Sequence, residues 1–177
     1  MKKAFINLIL ILNAFVIYFL QNNFFSWFTI AGVRPNLFVI YILFIGLFGN
    51  RTMAAIYGAT IGIILDFIFE EKIGPNFFPL ILIGVIAIIF NKNFSKDSRF
   101  TIMLMVIVST VIYELVRYFL CSILYTMNIE IGKVIAVLMI EVIYNIFITI
   151  IMYPLMQKFG YYMENEYNGN EILTRYF

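Results

Sequence analysis

Six apolar stretches, each separated from the next by a few polar residues, constrain this chain more than any motif in it. They are Ala4–Leu20, Leu37–Phe48, Thr52–Phe69, Phe77–Phe90, Phe100–Tyr125 and Val134–Leu155. A backbone that crosses a bilayer must satisfy its own hydrogen bonds, so stretches of this kind fold as helices. Runs of about 18 or more apolar residues match a hydrocarbon core roughly 30 Å thick. Composition agrees, since 63% of the 177 residues are hydrophobic, 12% are charged and the mean hydropathy is +0.97. The expected fold is an all-α, polytopic integral membrane protein of about six transmembrane helices. One transmembrane domain occupies 1–156, and 157–177 forms a cytoplasmic tail whose mixture of Asn, Tyr and acidic residues fits either disorder or a place on the membrane surface.

Two of the runs are short. At 1.5 Å per residue, Leu37–Phe48 covers only about 18 Å. It must thin the bilayer, recruit residues from "FFSWFTIAGV", or be a broken helix capped by Arg34 and Pro35. A broken or interfacial segment with Trp27 at headgroup level is the favoured reading. The first segment, "MKKAFINLILILNAFVIYFL", has the basic start and apolar core of a secretory signal but no small-x-small site before "QNNFF", so a retained anchor is expected.

Cytoplasmic loops carry the Lys/Arg excess. With the N-terminus inside, the inner side holds Lys2, Lys3, Arg51, Lys92, Lys96, Arg99, Lys158 and Arg175, against Arg34, Lys72 and Lys133 outside. Eight against three favours an even number of crossings and two cytoplasmic termini. The net charge of +2 is dispersed, without the basic block that grips nucleic acid. No histidine is present and Cys121 is the sole cysteine, so neither an internal disulfide nor a Cys/His metal cluster can form. Catalytic triads, Cys-His pairs, phosphate-cradling loops and Mg²⁺-type acidic clusters are also missing, and no enzyme activity or cofactor is expected.

Ala54, Gly58, Gly62 and Asp66 recur every four residues and so form one stripe along a helix. Small residues at that spacing let a second helix approach closely. The stripe is either a packing face within the chain or a groove for a ligand or partner. Asp66 lies about 5 Å below the outer interface by helical rise, where a carboxylate is cheaper than at the midplane. It can cap a neighbouring helix or meet Lys72.

Deeper charges occur in "VIYELVRYFL", with Glu114 and Arg117, and in "MIEVIYNIFIT", with Glu141, Tyr144 and Asn145. Arg117 and Glu141 each fall roughly 12 Å from the outer ends of adjacent spans. Isolated charges there cost roughly 2.5–3.5 kcal/mol or more, so the expectation is an Arg117–Glu141 ion pair with Glu114 sharing the guanidinium. Such a group serves as a tie between helices, a substrate or proton path, or a surface for a partner's membrane helix.

The stretch "RPNLFVIYILFIGLFGNRTMAAIYGATIGIILDFIFEEKIGPNFFPLILIGVIA" resembles the signature region of the MreD family of bacterial rod-shape determination. Arg34, Pro35, Leu37, Arg51, Gly58, Gly62, Asp66 and Gly74 carry the likeness, with Asn36 where the family usually has Asp. Length, early anchor and the closing "YNIFITIIMYPLM" extend it over nearly the whole chain. The resemblance implies a non-enzymatic protein of the bacterial cytoplasmic membrane that binds MreC and, through it, is linked to MreB and the peptidoglycan polymerase–transpeptidase pair. Its fold is similar to the substrate-binding subunits of energy-coupling-factor transporters, a likeness of fold that does not show transport. Two functions remain open: an interaction scaffold, or a small-molecule-binding subunit in which Asp66, Arg117 and Glu141 line a pocket. A pocket of roughly 300 Å³ or more with convergent polar groups favours the second, and a shallow apolar groove favours the first.

Overall fold

The computed structural model describes residues 2–49, 52–94, 98–126 and 130–174, with the side chains of 93 and 168–174 outside that description. Arg51, Lys96 and Arg175, which entered the charge count, lie outside the described residues. Within them the chain is all-α, without a strand; an isolated bridge joins Ile30 and Val33. Helix α1 (Lys2–Phe19) passes through a π-helical turn, Leu20–Phe24, into the short α2 (Phe25–Trp27). There follow α3 (Leu37–Phe48), α4 (Met53–Phe69), α5 (Phe77–Asn93), α6 (Arg99–Tyr125) and α7 (Ile131–Thr174). Lys2–Trp27, Arg99–Tyr125 and Ile131–Tyr167 are long and apolar enough to cross a membrane, whereas α3, α4 and α5 are shorter apolar helices.

The shortest of these helices is the centre of the bundle. All twelve residues of α3 are buried, and α1, α4, α5, α6 and α7 all pack against it. A helix that is apolar all round belongs inside a protein or inside lipid. Because neighbouring helices cover both of its ends, α3 need not match the bilayer thickness, and its length ceases to be a problem. The reversal before it uses two left-handed residues, Ala31 and Gly32, with φ of 50° and 79°. Asn36 then opens the helix, its side chain accepting from the Val39 N–H at 3.3 Å. That is an N-cap, which Asn provides about as well as Asp. The family's usual acidic charge is therefore not needed for this task.

Helices α4 and α5 form the closest pair. An added Cβ on Gly62 would stand 2.6 Å from Phe77 Cα, and one on Gly84 would stand 2.7 Å from the Ala54 carbonyl. Gly58 lies equally hard against the Leu80 carbonyl. The stripe on α4 is thus a packing face within the chain, and α5 returns the contact with a glycine of its own. In α6 the buried set Ile102, Met105, Val106, Ser109, Thr110, Tyr113 and Glu114 follows the three-and-four spacing of one helical face and turns toward α3, α5 and α7.

Helix α7 runs unbroken from Ile131 to Thr174 through Pro154, so 157–174 prolongs a helix. Its 44 residues reach about 66 Å at helical rise, beyond any hydrocarbon core. The extension is tied back to the start of α1: Lys2 Nζ lies 2.9 Å from Glu166 Oε1, and the Tyr167 hydroxyl bonds to Asn7 Oδ1 at 2.9 Å and the Lys3 carbonyl at 3.2 Å. The exterior is strongly apolar, with Phe15 67%, Phe67 71% and Phe100 70% exposed, a surface that lipid solvates and water does not.

Candidate functional site

Polar side chains gather at the end of the bundle where α3, α5 and α7 begin and α4 and α6 finish. Asp66, only 1% exposed, sits in the last turn of α4 and faces the start of α5. Its Oδ2 accepts from the Gly74 N–H at 2.7 Å and the Phe77 N–H at 3.1 Å; its Oδ1 accepts from the Asn76 N–H at 2.8 Å and Asn76 Nδ2 at 2.9 Å. Three backbone donors with no partner inside α5 are satisfied by one carboxylate at a helix N-terminus, where the dipole also favours negative charge. Gly74 enables this with φ of 143°, a conformation open to glycine and strained for other residues. Lys72 is elsewhere: its Nζ donates to the Leu124 carbonyl near the end of α6.

The N-terminus of α3 is closed in a similar way by neutral side chains. Asn145 Oδ1 accepts from the Asn36 N–H at 2.8 Å, and Gln21 Oε1 accepts from the Leu37 N–H at 2.9 Å. Asn145 also donates to Thr110 Oγ1 at 2.9 Å, so a single buried amide joins α3, α6 and α7. These donors, like the Val39 N–H held by Asn36, are spoken for.

The expected Arg117–Glu141 pair does not form. Arg117 Nη2 lies 3.1 Å from Glu70 Oε1, and Glu70 Oε2 accepts from the Tyr125 hydroxyl at 3.1 Å. Axial depth placed Arg117 level with Glu141, but a long side chain reaches well beyond its own Cα, here toward the carboxylate that closes α4. Glu141 instead shares a cavity wall with Glu114 and Asn36. Glu141 Oε1 and Arg117 Nε are buried and unpartnered. Mutating Arg117 and Glu70 to Ala singly and together, with thermal unfolding in detergent as the readout, is expected to give a coupling of about 1 kcal/mol, kept small by the guanidinium's access to solvent. Additive losses would show that the pair contributes nothing.

These groups line one open cavity of about 410 Å³. Arg34, Pro35 and Asn36 form one wall, Glu70 and Asn76 another, and Tyr113, Glu114, Arg117 and Glu141 come from α6 and α7. Arg34 is exposed and Pro35 buried. Of the residues singled out in the sequence, Arg34, Pro35, Glu114, Arg117 and Glu141 converge here. Asp66, Gly74 and Asn145 stand behind as supports, while Gly58 and Gly62 lie in the α4–α5 seam below. Sequence reasoning missed Gln21, Glu70, Asn76 and Tyr113. Tyr113, whose hydroxyl donates to Asn76 Oδ1 at 2.7 Å, was visible only as the residue four before Arg117, and Asn76 as a polar residue opening an apolar helix. Among the described residues no three His, Cys, Asp or Glu side chains are arranged to hold a metal.

An all-α bundle with a lipid-type exterior is a membrane protein, and the polar cavity at its helix ends is the candidate site. The sequence model for the rod shape-determining protein MreD matches residues 2–163, and the chain belongs to the MreD family. Its role is therefore in rod-shape determination. Neither a search of curated proteins nor one of solved structures gives a match.

Proposed function

We propose that this chain is a non-enzymatic scaffold of the bacterial cell-elongation machinery that binds MreC and supports lateral peptidoglycan synthesis, with MreB and the polymerase–transpeptidase pair as indirect partners. It sits in the cytoplasmic membrane with six crossings, both termini inside and the polar cavity opening outside. The carrying observation is the match to the MreD family over residues 2–163. Five charged side chains from the end of α4, from α6 and α7 and from the Arg34 turn converge on an open cavity that gives a docking segment polar contacts. MreC's periplasmic base docks at the Arg34–Pro35 turn and the "EEKIGPN" loop, both of which border it. An apolar groove of about 650 Å³ between α1 and α4, with Phe15 and Ile64 on its sides, has the character that MreC's membrane anchor requires.

A second reading stands on the same volume. At about 410 Å³ with convergent polar groups, the cavity exceeds what a small-molecule site needs, which favours a substrate-binding subunit of a transporter. Photo-cross-linkers at Arg34, Pro35 and Ile73, in cells that contain MreC, separate the two. Strong MreC adducts from these positions and none from Phe100 are expected; dense coverage without adducts, from correctly inserted protein, would remove the scaffold assignment.

A further inference from the structure

We infer that the cavity receives a cationic side chain, a lysine ammonium or arginine guanidinium, carried by the segment that docks there, with Glu114 and Glu141 as its counter-ions; this rests on the docking reading above. Glu114 and Glu141 are 3% and 4% exposed, and both line the cavity, one from α6 and one from α7. Two buried carboxyls on one cavity wall, neither with an ion pair to a cation among the described residues, is an arrangement that a low-dielectric site does not favour. Arg117 makes its ion pair with Glu70, at 3.1 Å, and not with either of these carboxylates. Glu141 Oε1 is left buried and unpartnered in the cavity wall.

Charge on the lining points the same way. Glu70, Glu114 and Glu141 stand against Arg34 and Arg117, so with all five ionised one negative charge is uncompensated. At the α3 N-terminus the N–H groups of Asn36, Leu37 and Val39 already have acceptors in Asn145, Gln21 and Asn36, which leaves an anionic ligand little to bind there. Arg34 lies at the exposed rim. A donor-only group with a single positive charge, on a stem long enough to pass the rim, matches what Glu141 lacks.

The test uses the full chain in lipid nanodiscs. Glu141→Gln and Glu114→Gln keep the shape and remove the charge, and melting of each variant establishes that it is folded. MreC co-purification is expected to fall about tenfold or more in either variant. In parallel, unmutated protein is titrated with N-acetyl-lysine methylamide and with its uncharged norleucine analogue. Only the lysine compound is expected to raise the melting temperature, and only when both carboxylates are present. Equal MreC retention by the unmutated chain and both variants overturns the cation and leaves docking intact. Loss of MreC binding by the unmutated chain removes the docking reading, and the titration then decides: selective binding of the lysine compound supports a cation site served by a free amine. Identical responses to the two compounds overturn the inference, with a proton held between the carboxyls in the cation's place.

Discussion

Replacing Asp66 with Ala is expected to lower stability by about 3 kcal/mol or more. It strands the N–H groups of Gly74, Asn76 and Phe77 in a largely buried site, and each stranded donor costs about 1–3 kcal/mol. Asp66→Asn is expected to fare little better, although it preserves volume. An amide has one acceptor oxygen where the carboxylate has two, and its NH₂ would face donors that already point inward. The expected result is a lowered melting temperature for both variants in detergent and reduced accumulation in the membrane, with Asp66→Glu also impaired because the longer stem cannot keep four bonds at 2.7–3.1 Å. An Asp66→Asn protein that melts like the unmutated chain would show that the cap is dispensable. Loss of the cap would also displace Asn76 and the Tyr113 hydroxyl bonded to it, so cavity function falls with stability.

Gly62→Ala is the second large effect. The new Cβ would meet Phe77 Cα at 2.6 Å and the Asn76 carbonyl oxygen at 3.0 Å, both backbone atoms that no rotamer change can move. Helix α5 must shift as a body, which costs about 1–3 kcal/mol in a well-packed core and more for Gly62→Leu. Gly132→Ala is the control, since nothing lies within 4 Å of its added Cβ. The measurement is thermal unfolding of the two alanine variants in the same detergent, together with the amount of each of the three variants found in the membrane. The order expected is Gly132→Ala near the unmutated chain, Gly62→Ala clearly below, and Gly62→Leu failing to accumulate; equal melting of the two alanine variants would contradict the seam.

Particular residues show how far the sequence could be read. The four-residue spacing of Gly58, Gly62 and Asp66 announced a close helix contact, because spacing alone sets which residues share a helical face. It did not reveal that α5 is the partner, since the reciprocal Gly84 stands alone in its helix and carries no pattern. The depth of Arg117 was legible from helical rise. Its partner was not, because rise gives position along an axis and says nothing about rotation or about where a long side chain ends. Glu70 falls just past an apolar run and carries no pattern of its own, yet it closes α4 within 3.1 Å of the Arg117 guanidinium. The cavity was out of reach for the same reason: its walls come from residues between 21 and 141, and only packing brings them to one end.

What the sequence determined by itself was the solvent, the helical class, the family and the positions along each helix where charge would need an answer. Those follow from local chemistry: hydropathy dictates lipid, lipid dictates internal hydrogen bonding, and spacing dictates faces. Tertiary structure alone decided which element answers each charge. It put the shortest apolar helix at the centre and used Asp66 to cap α5. It gave Arg117 to Glu70 and left the Glu114–Glu141 pair facing an open cavity. Those outcomes depend on the rotation and contact of six helices at once, and no single stretch of sequence contains that information.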